Sequence, residues 1–377
     1  RDGCGPLGHD AHVERAERPR LERRPRPQEL AALPVPRRRR LRVAHVLVPP
    51  PPALRLRVVP AADAPLPPRR PPDAPPARVH QLARAQRLLP VDEAVLDDGL
   101  RVAVLAAEGV RLTNFYVNSP ICSPSRVALS TGQYPHRWRI TSYLNNRRDN
   151  KRRGMAQWLD LKAPTLARQL QKSGYATGHF GKWHVGMTSG KRKKPTLQQH
   201  GFDYWFGLSN GANPSHKDPT NFMRNGKRVG PLKGYSCQLI VDDAIRWLDE
   251  KKNPDQPFFM NMWFNEPHSK LAAPDEITSI YGDLKDEAAI YSATVDNTDR
   301  AIGRLVAKLK ETGKLDNTLI IYSSDHGSYR ADRNGGLTGA KGSKFEGGLR
   351  SPGIFFWPNG FRGGRTEDTP SGSVDLL

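Results

Sequence analysis

The stretch TLIIYSSDHG, residues 318–327, joins a run of apolar and β-branched residues to a short polar cluster. Short apolar runs of this kind occur at 175–180, 257–264, 318–323 and 353–357, and we interpret them as buried strands. Segments with apolar residues at helical spacing are predicted helices at 163–173, 241–251 and 286–312. Strands that alternate with long helices predict an α/β fold with a mostly parallel sheet sandwiched by helices.

Polar clusters follow three of the predicted strands. They are GKWH (181–184), NEPH (265–268) and SDHG (324–327). In open α/β sheets, ligands gather at the carboxyl ends of the strands. Any one of the 11 histidines is more often a surface or core residue than a functional one. Three strand ends that each carry His, Lys or Asp nevertheless favour a common site.

A cysteine stands at the start of a helix-like run in CSPSRVALSTG, residues 122–132. A helix N-terminus favours a thiolate and is a ready anion site. Cys122 is therefore a candidate nucleophile for an anionic substrate, and Arg126 is a candidate anion ligand. A buried structural cysteine beside a turn proline explains the stretch equally well.

The same stretch resembles the signature of the formylglycine-dependent sulfatases, C-x-P-S-R followed by T-G. Further segments resemble this family in the same order: LAAEGVRLTNFYVNSPI (105–121), QYPHR (133–137), GYATGHFGKWHVG (174–186), SDHG (324–327) and KGSKFEGGLRSPGIF (341–355). The similarity runs from about residue 105 to the end of the chain. It implies an arylsulfatase-like member of the alkaline-phosphatase-like superfamily and predicts a catalytic domain over 105–377.

The resemblance assigns a role to each matching position. It implies that Cys122 is converted to formylglycine, whose hydrated gem-diol attacks the sulfur, and that Arg126 stabilises this group. It implies that Lys182 contacts the sulfate. It also implies that His184 takes the proton that lets sulfate leave and the aldehyde re-form.

The remaining matches complete the implied site. His268 corresponds to the histidine that contacts the sulfate ester and protonates the leaving oxygen, and Lys341 to a lysine near the bridging oxygen. Asp325 and His326 correspond to a late pair of metal ligands, for Ca²⁺ or Mg²⁺. These residue types suit the reaction, because a sulfate monoester is an anion that fixed cations and a divalent metal neutralise. A histidine supplies an acid near neutral pH.

The expected partners follow from the resemblance and the charge. The resemblance implies a sulfated small molecule or sulfated polysaccharide as substrate, a formylglycine-generating enzyme as partner, and a periplasmic or extracellular location. The basic runs NNRRDNKRR (145–153) and KRKK (191–194) lack a nucleic-acid motif and are interpreted as solvated loops. No apolar run reaches membrane-spanning length, and no signal peptide is visible.

The first part of the chain departs from this pattern. Residues 1–100 hold 19 of the 34 prolines, 19 arginines and no Lys, Ser or Thr. This composition indicates that residues 1–104 are translated in the wrong frame or disordered, and are not a domain.

Relatives begin with a buried strand that ends in Asp-Asp, and this strand and both metal-binding carboxylates are expected to be missing. Asp97 and Asp98 precede Cys122 by only about 24 residues and are interpreted as a chance pair. The chain stops at SVDLL (373–377), where relatives continue into a C-terminal subdomain. That subdomain is expected to be missing too.

Two alternatives remain open from the sequence. One is a phosphomonoester or phosphonate monoester hydrolase on the same fold. The other is a catalytically dead, polyanion-binding remnant. The second alternative draws on the 40 basic and 26 acidic residues of 101–377, a net charge of +14.

Overall fold

A computed structural model of the chain describes residues 102–187, 194–251 and 253–376, together with the backbone of 42–47. The expectations for the rest of residues 1–101, including Asp97 and Asp98, lie outside the described residues. No helix within the described ranges combines the length and apolarity needed to cross a membrane.

The described strands and helices alternate along the chain. The strands are β1 (Arg42–Leu47), β2 (Val110–Tyr116), β3 (Ala176–Lys182), β4 (Tyr204–Leu208), β5 (Met223–Arg224), β6 (Lys227–Arg228), β7 (Phe258–Trp263), β8 (Thr318–Ser323), β9 (Arg350–Phe356), β10 (Arg365–Glu367) and β11 (Ser371–Gly372). The α-helices are α1 (Val102–Glu108), α2 (Cys122–Thr131), α3 (Arg147–Arg152), α4 (Leu166–Lys172), α5 (Ser236–Asp249), α6 (Asp275–Tyr281), α7 (Glu287–Glu311) and α8 (Glu346–Leu349). Every strand and helix predicted from the sequence is present, with ends shifted by a few residues.

The described strands form one mixed sheet in the order β10-β2-β9-β8-β1-β7-β3-β4-β5-β6, and β11 pairs with β2. The central pairings from β8 through β1, β7 and β3 to β4 are parallel. Strand β9 is antiparallel to both β2 and β8, and β5 and β6 form an antiparallel hairpin. The prediction of a mostly parallel sheet is confirmed for its centre.

The expected absence of an N-terminal strand is wrong. Strand β1 lies in the middle of the sheet, parallel to β7 and β8, with Val43 opposite both Phe259 and Leu319. Its sequence, RVAHVL, contains two valines, which favour strand structure. This apolar run is short and stands among arginines and prolines, so the composition of residues 1–100 did not indicate a strand. The residues after β1 are Val48 and Pro49, so no Asp-Asp pair follows this strand.

Strand β7 shows that helices cover both faces of the sheet. Its residues Phe258, Met260 and Met262 pack in one hydrophobic core with residues of α5 and α7. Phe259 and Trp263, which point to the other side, pack in a second core with residues of α2 and α4. This alternation is the period of a strand with two buried faces.

The parallel centre brings three strand ends to one edge. Lys182 is the last residue of β3, and Asn265 and Asp325 each follow two residues after the ends of β7 and β8. At Gly181 the backbone has φ +104°, and a Cβ atom would lie 2.0 Å from the Trp263 carbonyl oxygen. Glycine therefore allows β3 to approach β7 closely just before Lys182.

Candidate active site

A pocket at this edge of the sheet contains seven of the eight site residues predicted from the sequence. Its lining is formed by Cys122, Arg126, Lys182, Phe264, Asn265, Glu266, Pro267, His268, Tyr291, Asp325, His326, Gly327, Ser328, Tyr329 and Lys341. The eighth predicted residue, His184, lies behind this lining. Its carbonyl oxygen accepts a hydrogen bond of 2.7 Å from Ser123, the neighbour of Cys122.

Cys122 is the first residue of α2 and is 3% exposed. Its Sγ lies 3.2 Å from His326 Nε2 and 3.7 Å from Lys182 Nζ. Burial disfavours the thiolate, but the cationic neighbours Lys182 and His326 outweigh it, and the pKa of the Cys122 thiol lies well below its usual range. Position 122 is therefore set up to carry a negatively charged nucleophilic atom.

Arg126 is held inside the site by three partners. Its Nε and Nη2 lie 2.9 Å and 2.8 Å from Asp325 Oδ2, and its Nη1 donates to the Lys182 carbonyl oxygen at 2.9 Å. The guanidinium carbon lies 4.8 Å from the ring centroid of Trp263. The described contacts of Arg126 are thus to the protein, and its role as a ligand of the substrate anion stays a prediction.

Asp325 and His326 form a coupled pair. Burial alone would raise the pKa of Asp325, but His326 and Arg126 hold it well below its usual range. His326 is buried too, yet Asp325 and Cys122 raise its pKa. His326 Nδ1 lies 2.8 Å from the Gly327 carbonyl oxygen, which can only accept. Nδ1 therefore carries a hydrogen, and Nε2 is the nitrogen that faces Cys122 and Asp325.

Cys122, Asp325 and His326 present three donor atoms within 4.8 Å of one another. The set comprises one sulfur, one imidazole nitrogen and one carboxylate, which also pairs with Arg126. Ca²⁺ takes six to eight oxygen ligands and Mg²⁺ an octahedral oxygen set. The residues that the structure describes do not by themselves fit the expected Ca²⁺ or Mg²⁺. A sulfur, nitrogen and oxygen set is closer to what Zn²⁺ accepts.

The pocket carries excess positive charge. Lys182 is 2% exposed, and burial lowers its pKa although Cys122 opposes this effect. Burial, together with Lys182 and Lys341, lowers the pKa of His268 to about 3. The His268 imidazole is therefore uncharged at neutral pH in the free protein and can donate one N–H hydrogen bond. An anion that enters the pocket would lie against the ammonium groups of Lys182 and Lys341.

His184 has one free nitrogen. Its Nε2 lies 3.0 Å from the Leu144 carbonyl oxygen and so carries the hydrogen, whereas Nδ1 is buried without a hydrogen-bond partner. Burial and then Lys182 lower the pKa of His184. The ring is a neutral base with an available lone pair, and it lies close enough to Cys122 for this residue to oppose the lowering of its pKa.

The structure adds pocket residues that the sequence analysis missed, among them Asn265, Tyr291 and Tyr329. Asn265 is 3% exposed, and neither polar atom of its carboxamide has a hydrogen-bond partner. Asn265 belongs to the NEPH cluster, but an uncharged amide does not by itself indicate a functional residue in a sequence. Tyr291 sits at helical spacing in α7, where the pattern predicts only a core residue.

Comparison with known proteins agrees with this geometry. The family model "Sulfatase" matches residues 100–377. The chain is 31% identical over 277 residues to the uncharacterized sulfatase YdeN of Escherichia coli. This alignment covers 67% of this chain and 48% of the relative. It is 30% identical over 302 residues to an arylsulfatase of Hemicentrotus pulcherrimus, covering 72% and 51%. The chain thus spans about half the length of these relatives.

Solved structures give the same fold. The crystal structure of Ps i-CgsB in complex with k-i-k-neocarrahexaose superposes with a TM-score of 0.63 at 30% identity, covering 73% of this chain and 64% of that one. A phosphonate monoester hydrolase of Agrobacterium radiobacter superposes with a TM-score of 0.53 at 17% identity, which shows a shared fold alone. With the alkaline-phosphatase-like sheet, the cysteine motif at the start of α2 and a family match over residues 100–377, the chain belongs to the sulfatase family.

Proposed function

We propose that this chain is the catalytic part of a sulfuric ester hydrolase that cleaves a sulfate monoester with a formylglycine made from Cys122. The observation that carries the proposal is the buried position of Cys122 at the base of a pocket lined by Arg126, Lys182 and Lys341. Formylglycine at this position supplies a gem-diol, which offers one oxygen as nucleophile and a second hydroxyl for release of the sulfate. The Cys122 Sγ marks where the attacking oxygen would stand.

The residues around this atom have complementary tasks. Lys182 and Lys341 neutralise the sulfate oxygens, and their fixed charges stabilise the transition state more than water would. His268 donates a hydrogen bond to the leaving oxygen as charge develops there. His184, with its free Nδ1, takes the proton of the second hydroxyl during sulfate release. Arg126 orients Asp325 and, through the Lys182 carbonyl, the end of β3.

We further propose that Asp325 and His326 hold a divalent ion. The expected Ca²⁺ or Mg²⁺ needs oxygen ligands beyond those that the described residues supply. No step above depends on the ion.

The substrate and location are proposed from the relatives. Ps i-CgsB, one of the similar solved structures, is in complex with k-i-k-neocarrahexaose, and the excess of basic residues in 101–377 suits a polyanion. We propose a sulfated saccharide or a small sulfate ester as substrate, a formylglycine-generating enzyme as the modifying partner, and a periplasmic or extracellular location.

Production of the chain together with a formylglycine-generating enzyme tests the proposal. Mass spectrometry of the peptide that contains residue 122 would first establish replacement of the thiol by an aldehyde. The modified protein is expected to release sulfate from 4-nitrophenyl sulfate, and the Cys122→Ala variant should lose at least about 10³-fold in rate.

Two results would contradict the proposal. Faster turnover of the matching phosphate or phosphonate monoester would favour the phosphoryl alternative. Modified protein that binds dextran sulfate in a salt-sensitive way, but releases no sulfate from any ester, would favour a non-catalytic polyanion binder.

A further inference from the structure

Next to the pocket, three side chains form a second buried group, which we call the His216 cluster: His216, Ser236 and Glu266, the last of which also lines the pocket. Each of them is at most 1% exposed. His216 Nδ1 lies 3.2 Å from Ser236 Oγ and 3.5 Å from Glu266 Oε1. Ser236 Oγ also hydrogen-bonds the same carboxylate oxygen. Neither His216 nor Ser236 lines the pocket, and neither has a part in the chemistry described above.

Hydrogen bonds connect the members of this cluster. The His268 carbonyl oxygen, 2.9 Å from His216 Nε2, can only accept, so Nε2 carries a hydrogen. The Ser236 hydroxyl contacts both His216 Nδ1 and Glu266 Oε1 and so joins the imidazole to the carboxylate. The network is fully paired, and buried networks of this kind are stiff.

The cluster holds both ends of the loop 265–268. Glu266 Oε2 accepts a hydrogen bond of 3.0 Å from the backbone N–H of Asn265. His216 Nε2 donates a hydrogen bond to the carbonyl oxygen of His268. The cluster is also joined to α5, because Ser236 is the first residue of this helix. Its backbone N–H donates to the His216 carbonyl oxygen at 2.8 Å. The loop that carries the His268 imidazole is therefore fixed to a long helix.

We propose that the His216 cluster positions the His268 imidazole beside the leaving-group oxygen, so that His216 is a positioning residue for sulfate ester cleavage. This inference rests on the proposed function, in which His268 donates to that oxygen. Donation needs a heavy-atom distance of about 2.6–3.2 Å. A shift of about 1 Å in a catalytic group can cost about 100-fold in rate.

A leaving-group series tests this role. The readout is kcat/KM of the modified protein for aryl sulfates whose phenols range from acidic to weakly acidic. The His216→Leu variant is expected to lose about 100-fold on the least activated ester and less than about 10-fold on 4-nitrophenyl sulfate, because only poor leaving groups need the donor. In His216→Gln, the side-chain amide can replace both imidazole contacts, and the normal dependence should return.

Controls separate positioning from a general loss of stability. The His200→Leu variant removes another buried histidine away from the pocket lining, and its leaving-group dependence should equal that of the wild type. An equal loss on every ester for His216→Leu, or no loss at all, would overturn the proposal. If His216→Leu does not fold, Ser236→Ala takes its place, with a smaller change expected in the same direction.

A second readout does not need turnover. In the unmodified protein, burial beside Lys182 and Lys341 lowers the pKa of His268 to about 3. A ring that is released from its anchor moves away from these lysines, so its pKa, measured by NMR with labelled histidine, should rise towards about 6.5 in His216→Leu. An unchanged pKa would refute the positioning role. Wild-type protein that hydrolyses no sulfate ester would refute the proposed function instead, and the titration would still decide the role of His216.

Discussion

Trp263 contacts Arg126 of the pocket and the ring of Trp183, and the buried histidines of these two regions have different surroundings. On the pocket side, His326 faces a carboxylate and a sulfur atom, and Arg126 lies over the Trp263 ring. Away from the pocket, His179 and His200 lie among aromatic rings, with Trp183 stacked on Trp263 at 5.6 Å. Asp325 and Cys122 raise the pKa of His326, whereas burial lowers the pKa of His179 to about 3 and that of His200 to about 4.

The contrast shows that burial keeps a histidine neutral, whereas contact with a carboxylate and a sulfur atom raises the pKa of His326. The lowered pKa values keep His179 and His200 uncharged at neutral pH, and neither ring lines the pocket. The pocket keeps opposite charges in contact at nearly full burial, which is stable only while each charge has its partner. The two regions should therefore respond differently to mutation, to pH and to metal ions.

The largest expected effect comes from the pocket ion pair. Asp325→Asn leaves the buried Arg126 without its carboxylate and next to Lys182. We expect the free energy of unfolding to fall by about 3–5 kcal/mol, as measured by guanidinium denaturation at pH 7. The control is Asp242→Asn, which breaks a half-exposed pair with Arg304 and should cost less than about 1 kcal/mol. Equal losses in the two variants would show that burial of the pocket ion pair does not set its contribution to stability.

The next effect is a pH dependence from the aromatic side. The folded pKa of His200, about 4, lies below its unfolded value of about 6.5, so its contribution to stability is complete above pH 6.5 and disappears as the pH falls towards 4. Within this window the slope is about 1.4 kcal/mol per pH unit. The His200→Leu variant should have a flatter stability profile by this amount, measured by urea denaturation from pH 7 to 4.5. An unchanged slope would show that His200 is not a buried neutral ring.

The smallest expected effect concerns metal ions. Only the pocket side brings a thiol, an imidazole and a carboxylate together among the described residues. In the unmodified protein, Zn²⁺ at 100 times its dissociation constant should add about 2.7 kcal/mol of stability, and less at lower saturation. Ca²⁺ should add little. Calorimetry with Cys122→Ala as control checks this prediction. Strong stabilisation by Ca²⁺ would instead place oxygen ligands outside the described residues.

The sequence predicted much of the fold, because its signals are local. Strand β8 has the predicted bounds, and α7 begins and ends within one residue of its prediction. Polar clusters after β3, β7 and β8 predicted the edge at which the pocket lies. Strand β1 was missed because its short apolar run stands among arginines and prolines, and only pairing with β7 and β8 identifies it.

The sequence predicted the site less completely, because only some of the pocket residues carry a charge or belong to a motif. Charged and motif residues such as Cys122 and Lys341 carry a signal in the sequence, and the structure brings them into one pocket. Asn265 and Tyr291 carry no charge and follow ordinary strand-end and helix patterns. The expected metal ligands Asp325 and His326 lie together, but no pattern in the sequence indicated that Arg126 would pair with Asp325.

The sequence by itself determined the residue types at the strand ends, the cysteine motif and the α/β order of the elements, because each depends on neighbours within a few positions. The tertiary structure alone decided the place of β1, the pairing of Arg126 with Asp325 and the anchoring of His268 by His216, 52 residues away. These contacts join segments far apart in the chain. Their physical basis is the parallel order of the sheet, which sets which loops meet at its edge and which charges share a low-dielectric interior.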